Sequence, residues 1–379
     1  MIYYKLPTFN NNIRVNPKQN KYKCNPFISK SVHMYCTETI NYIITECLHN
    51  NLEKNNLEYM TSISNSHGYI CSNIPDTGHA ISKLKPYTNL FYELLEIISV
   101  TKVLDEFNKK SINMLHIVNS CESIESVEYI NAMNNNNANI HNTHFLKMYE
   151  YINNKNNIQF DCMFFEQIKY DNNDVNKYII NFVEIIMAIL TNQQSGGSCL
   201  IKVNYIFHKP IVDLLYLLNT LFEKIYIIKP SVSNASNSER FVLCTKFTSD
   251  KNKINMCKQN HEIFLNLLNN IEDDNIISII DFNLPCYFLN KVNDINLIIG
   301  QQQLESLNQI INILKSKSQN EKLEQLQKNN IQKAILWCDK HMVPHNKMVD
   351  KMNCFLNSNN HVNIFDKDDS VEFISEQCI

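Results

Sequence analysis

GGSCLIKVNYIFHKPIVDLLYLLNTLFEKIYIIKPSVSNASNSERFVLCTKF, residues Gly196 to Phe247, is the stretch on which the fold turns. Two short β-type runs, CLIKV (199–203) and IYIIK (225–229), flank an apolar helix-like segment, LLYLLNTLFEK (214–224). A third run, RFVLCTKF (240–247), follows a polar Ser/Asn loop. Alternation of this kind is what a parallel sheet with crossover helices produces. Lys202 lies inside the first run and Glu239 immediately precedes the third, so one edge of the sheet can hold both.

Working outward, the apolar spacing predicts a helix over Val175–Leu190, closed by Thr191-Asn192, and strands over Met114–Val118 and Phe160–Phe165. Asn89–Val100 and Val32–Leu57 read as helices, and the Gly- and Pro-containing segment between them reads as loop with a short strand at Tyr69–Cys71. Pro7, Pro17 and Pro26 mark residues 1–30 as an irregular arm, and Asn131–Asn142 (NAMNNNNANIHN) as a surface loop. Beyond Thr248 the chain turns helix-rich and Gln/Lys-rich, with Gln301–Lys317 a packing helix and Trp337 and Cys338 core residues. The fold class is therefore α/β, a Rossmann-like doubly wound sheet with helical extensions at both ends. Its divisions are an N-terminal arm and helical extension (1–79), the α/β domain (80–250) and a helix-rich C-terminal region (251–379).

A net charge of −3 over 379 residues argues against a dedicated basic nucleic-acid coat. Thirteen cysteines, an odd number, form no CxxC pair. With no apolar leader in the first residues, that pattern predicts reduced thiols and a cytoplasmic, non-secreted protein, with no clustered ligands for a metal. No apolar run approaches the roughly 20 residues a membrane span needs.

The ordered set Gly196-Gly197, Lys202, Lys229-Pro230, Ser233 and Ser238-Glu239 resembles the last third of FtsJ-like ribose 2′-O-methyltransferases, in the form found in large DNA viruses. The resemblance implies a Rossmann-like methyltransferase domain, S-adenosylmethionine as cofactor and a Lys-Asp-Lys-Glu tetrad whose second lysine is the base. Lys202 matches that lysine and Glu239 the final glutamate. The family's (F/Y)-K-L-x-E-I helix resembles Tyr92–Ile97, which puts Glu93 at the first lysine. Its F-D-L-V-x-x-D strand resembles Phe160–Glu166, which puts Glu166 at the aspartate. Its Ala-Pro-Gly-Gly-Phe cofactor loop corresponds to Ser120–Ile124, with His116 at the strand's usual acidic position. His116, Asn119, Ser120, Cys121 and Asp161 are the candidate cofactor-binding residues.

Two departures shape the expected function. Three carboxylates around one lysine would hold Lys202 protonated, and an ammonium is a poor base. No glycine occurs from Ala80 to Ser195, so the backbone lacks the close approach that the family's glycines allow, and weak or absent cofactor binding is expected. The leading reading is a degenerate homologue that binds RNA (capped mRNA) or proteins of viral capping and transcription. The alternatives are an active RNA ribose 2′-O-methyltransferase with Lys202 as base and, ranked last, a processivity-type subunit. Tyr87, Phe91 and Tyr92 are either base-stacking residues or a buried aromatic cluster.

Overall fold

In the computed structural model the described residues are 1–49, 60–74, 79–103, 112–118, 122–133, 138–152, 158–166, 169–270, 274–315 and 320–346. The strands are β1 (Ile2–Lys5), β2 (Lys18–Asn20), β3 (Ile112–Val118), β4 (Ala138–His144), β5 (Phe160–Glu166), β6 (Gln193–Val203), β7 (Phe222–Lys229), β8 (Arg240–Phe247) and β9 (Asn275–Ser278). The helices are α1 (Lys30–His49), α2 (Leu90–Thr101), α3 (Glu122–Met133), α4 (Tyr149–Ile152), α5 (Val175–Asn192), α6 (Lys209–Leu221), α7 (Lys251–Asn269), α8 (Cys286–Lys315) and α9 (Asn320–Lys340). Residues 1–345 pack as one compact unit.

Seven strands form the central sheet in the order β1-β7-β8-β6-β5-β3-β4. β3, β4, β5 and β6 are parallel, as the alternating pattern predicts. β8 instead runs antiparallel between β6 and β7, which corrects the expectation of a wholly parallel sheet. The reason is length: the loop Pro230–Glu239 is shorter than the dozen or so residues a parallel crossover needs, so the chain returns as a hairpin. The apolar face of the sheet is covered by α5 and α6. Every residue of α6 from Pro210 to Leu221 is buried, which is why its sequence is apolar all round rather than striped.

Residues 1–30 are not irregular throughout. β1 pairs antiparallel with the outer edge of β7, from Ile2↔Lys229 to Lys5↔Tyr226, and β2 pairs with β9. Leu6, Ile13 and Val15 enter the core. The prolines exclude a helix but not a short edge strand, and the open ladder of β7 is a template for one. Two smaller corrections follow from hydrogen bonding, one local and one long-range. Gly68–Ile70 is a 3₁₀ turn rather than a strand, because Gly68 and Ile70 donate to Asn65 O and His67 O within the same turn. Ala138–His144, read as loop for its asparagines, is β4, paired residue for residue with β3. The predicted helix beyond His49 lies outside the described residues.

The 30-residue α8 buries a stripe of Phe288, Val292, Ile295, Ile299, Leu307, Ile310 and Ile313, and packs on α1. Gly300 faces Val32 of α1 so closely that a Cβ there would overlap the valine side chain. Trp337 and Cys338 of α9 are core residues, as expected. Among the described residues no helix is long and apolar enough to cross a membrane.

Candidate active site

The site is built where three strands meet. Parallel pairing of β5 with β6 sets Glu166 opposite Lys202 at their carboxyl ends. The Gly-Gly bulge at the start of β6 makes this register possible. Gly196 takes a left-handed φ of 79°, and a Cβ on Gly197 would stand 2.6 Å from Asp161 O. Antiparallel β8 places Phe241 opposite Lys202, so Glu239, just ahead of the strand, arrives beside the lysine. α2 lies across these ends and supplies Glu93.

Lys202 Nζ is 3.2 Å from Glu93 Oε2 and 3.2 Å from Glu239 Oε2. Glu93 Oε1 also accepts a 2.6 Å hydrogen bond from Ser233 Oγ. The structure thus brings Glu93, Glu166, Lys202 and Glu239 around one cavity of about 290 Å³, lined further by Ser123, Asn89, Asn234 and Asn237. Burial alone would lower the Lys202 pKa, but the adjacent Glu93 and Glu239 carboxylates outweigh it and the lysine is raised above its ordinary value. For Glu239, burial works upward, yet Lys202 and Lys229 together bring it below the usual carboxylate range. The electrostatics hold this site as an ammonium between carboxylates.

Sequence reasoning missed the groups that hold the Lys-Pro loop. Glu96 is buried on α2 and accepts from Ser231 N (3.1 and 3.0 Å), Ser231 Oγ (2.8 Å), Val232 N (3.3 Å) and Trp337 Nε1 (3.1 Å). Its signal was present, since it is the glutamate of the (F/Y)-K-L-x-E-I pattern. Lys229 Nζ donates to Asn234 O, Asn237 O, Asn237 Oδ1 and Glu239 O at 2.7 to 3.1 Å, closing the loop on itself. Burial lowers its pKa to about 7, against the pull of Glu93 and Glu239.

Of the residues expected to hold the cofactor, the two described, His116 and Asp161, lie far apart. Asn119, Ser120 and Cys121 lie outside the described residues. His116 is buried on β3, stacked on Phe164 with ring centroids 4.8 Å apart. Its Nδ1 is 3.1 Å from Asn142 Oδ1 and its Nε2 3.3 Å from Glu166 Oε1. Asn142 Nδ2 donates to Glu128, so Asn142 Oδ1 faces His116 and Nδ1 is the donor. Asp161 sits at the other end of β5, five residues or about 16 Å of strand from Glu166. Its carboxylate accepts from Asn113 N, and it lines a separate cavity of about 890 Å³ with Gly196 and Gly197.

Among the described residues one feature of an S-adenosylmethionine site is lacking. Adenosine cofactors on sheets of this kind are held by an acid near the end of the second strand. β4 (ANIHNTH) has none, and its Asn142 is committed to His116 and Glu128. Among the described residues no group of three or more His, Cys, Asp or Glu could hold a metal ion.

Comparison with known proteins gives the site its context. A cap-specific mRNA (nucleoside-2'-O-)-methyltransferase 2 of Drosophila melanogaster is 41% identical over 69 residues, 18% of this chain and 10% of the relative. The Mus musculus protein of that name is 35% identical over 68 residues, 18% and 9%. A cap-specific mRNA (nucleoside-2'-O-)-methyltransferase 1 of Drosophila melanogaster is 27% identical over 185 residues, 46% of this chain and 22% of the relative. The chain thus spans from about a tenth to about a fifth of the length of these relatives. Residues 120–247 match the family model of the FtsJ-like methyltransferases, a span that includes Glu166, Lys202 and Glu239 but not Glu93 or His116. This chain carries an FtsJ-like methyltransferase domain over those residues.

Proposed function

We propose that this chain is an RNA-binding homologue of the cap ribose 2′-O-methyltransferases in which methyl transfer has been lost, serving a capping or transcription assembly. One observation carries the reading: the Lys202 ammonium sits 3.2 Å from each of two carboxylates. Methylating a ribose 2′-hydroxyl requires removal of its proton, and a lysine does this only as the free amine. A lysine at position 93 would favour that amine by like-charge repulsion; Glu93 does the reverse. The lack of an acid on β4 supports the same reading, and the names of the relatives support RNA as the ligand class.

The surviving Lys202–Glu239 pair favours a second reading, an active ribose 2′-O-methyltransferase with Lys202 as base. Two measurements separate them. Titration calorimetry with S-adenosylmethionine is expected to give no heat of binding at micromolar cofactor. Transfer of a labelled methyl group to capped RNA is expected to be absent. Transfer by the native protein that Lys202→Ala abolishes would establish the second reading and end the first.

A further inference from the structure

The central sheet ends differently at its two edges. β1 is four residues long and carries Lys5, and shortness and lysine both keep an edge strand from pairing further. β4, the other edge, is seven residues long and holds no proline and no Asp, Glu, Lys or Arg. It pairs with β3 residue for residue, from Ile112↔Ala138 to Val118↔His144, with no bulge. Among the described residues no strand pairs with its outer side. The classic doubly wound order, 3-2-1-4-5-6, places a third strand outside the second. Here β4 is the second parallel strand, and residues 145–159 separate it from β5, which lies on the far side of β3. That length suffices for one parallel crossover and not for two with a strand between them. The place outside β4 is left to another chain.

Both faces of β4 are used within the molecule. On one, Asn142 Nδ2 donates to Glu128 of α3, and Ala138 lines a small apolar cavity with Val127 and Ile130 of the same helix. On the other, Thr143 Oγ1 lies 3.0 Å from Tyr151 Oη of α4, and the His141 ring stands edge-on to Phe160 with centroids 5.4 Å apart. What remains is the backbone edge, and the group that fits an edge is a strand. Directly after β4, Leu146 is 79% and Tyr149 54% exposed. The turn that carries them is fixed, since Leu146 N donates to His144 Nδ1 at 3.3 Å and Met148 N to Phe145 O at 2.9 Å.

We propose that β4 pairs antiparallel with β4 of a second copy of this chain across a two-fold axis, joining two seven-stranded sheets, with Leu146 and Tyr149 as the apolar flank of the contact. A two-fold contact asks one surface to complement itself. β4 does so in any register at neutral pH, because a strand without charged residues brings no like charges together, and its Asn and Thr side chains can hydrogen-bond across the pair. One strand and two side chains from each copy make a small interface, so the dimer is weak and forms as concentration rises. The proposal is independent of the RNA-binding reading.

The test is sedimentation equilibrium of the full chain over a concentration series, with amide hydrogen exchange followed at the same concentrations. The mass is expected to rise from one chain towards two, and the amides of residues 138–144 to exchange more slowly as it does. The double variant Asn139→Lys, Leu146→Lys alters two exposed side chains and gives the edge the lysines of a guarded strand. It is expected to weaken the dimer at least about tenfold. A chain that stays monomeric at about 100 μM overturns the proposal. So does a dimer whose formation leaves exchange at 138–144 unchanged, or one that the double variant leaves at native affinity, since either places the contact on another surface.

Discussion

Glu93 decides the protonation state of Lys202. Its carboxylate contacts the ammonium and is itself fixed by Ser233, so it cannot swing away without leaving a hydroxyl unpaired in a buried place. The raised pKa of Lys202 means that, wherever its partner carboxylates are ionised, its ion pairs stabilise the fold fully below the ordinary lysine value, and that this contribution is lost as pH climbs through the higher folded-state value. Replacing Glu93 with Gln keeps the shape and removes the charge. In lysine-labelled protein followed by NMR, the native Lys202 resonance is expected to titrate above ordinary lysines. In Glu93→Gln it is expected to move down by about one unit or more. A Lys202 midpoint unchanged by that substitution would show that Glu93 does not govern the site.

The loop from Lys229 to Glu239 is held from two sides, by its own lysine and by α2. One turn of α2 separates Glu93 from Glu96, so a single helical face presents both carboxylates to Ser233 and to Ser231–Val232. Burial works upward on Glu96, but bonds from Ser231, the chain's amino terminus and Trp337 bring it below the usual carboxylate range. Its contribution is therefore present above the unfolded value near 4 and is lost as pH falls through the folded one. Glu96→Ala leaves the donors of Ser231 and Trp337 unpaired and is expected to cost about 3 kcal/mol in urea denaturation at pH 7, with Glu96→Gln costing less. Equal stability of Glu96→Ala and the native chain would deny the loop this anchor. The anchors of this loop were missed in the sequence, but most of the frame around it was legible in residue spacing. The strands around Lys202, the helices over Leu90–Thr101 and Val175–Asn192, and the approach of Glu239 to Lys202 all follow from apolar periodicity and the Lys-Pro loop. What was not legible depends on partners distant in sequence. β8 reverses because its loop is short, β1 exists because β7 has an open edge, and β4 hides among asparagines because its ladder with β3 supplies what its side chains do not.

The arm of residues 1–30 ties the α/β sheet to the helices that follow it. β1 closes one edge of the sheet, Asn16 N donates to Ile279 O, and Phe27 N and Ile28 N both donate to Phe207 O. The next residue, His208, stands at the N-cap of α6, forms a β-bridge with Pro26 and is 1% exposed. Tyr170 Oη lies 3.0 Å from its Nε2, and His33 of α1 stands edge-on with ring centroids 6.2 Å apart. Burial first, and His33 second, lower the His208 pKa to about 4, despite backbone oxygens of Asn25 and Cys24 that pull it upward. The neighbouring His33 is lowered as well, again by burial. An unfolded histidine titrates near 6.5, so between that pH and about 4 the unfolded chain binds protons that the folded chain refuses. Stability therefore rises with pH across this window, and His208 alone accounts for about 3 kcal/mol between its two ends. The expected course is a loss of stability from pH 7 to pH 4, accompanied by lower amide protection factors at Phe27 and Ile28 as the arm lifts from Phe207. His208→Asn removes the titrating group and is expected to flatten the stability profile over that range. If the variant and the native chain lose stability with the same slope, the arm is not coupled to this histidine and the acid sensitivity lies in the carboxylates instead.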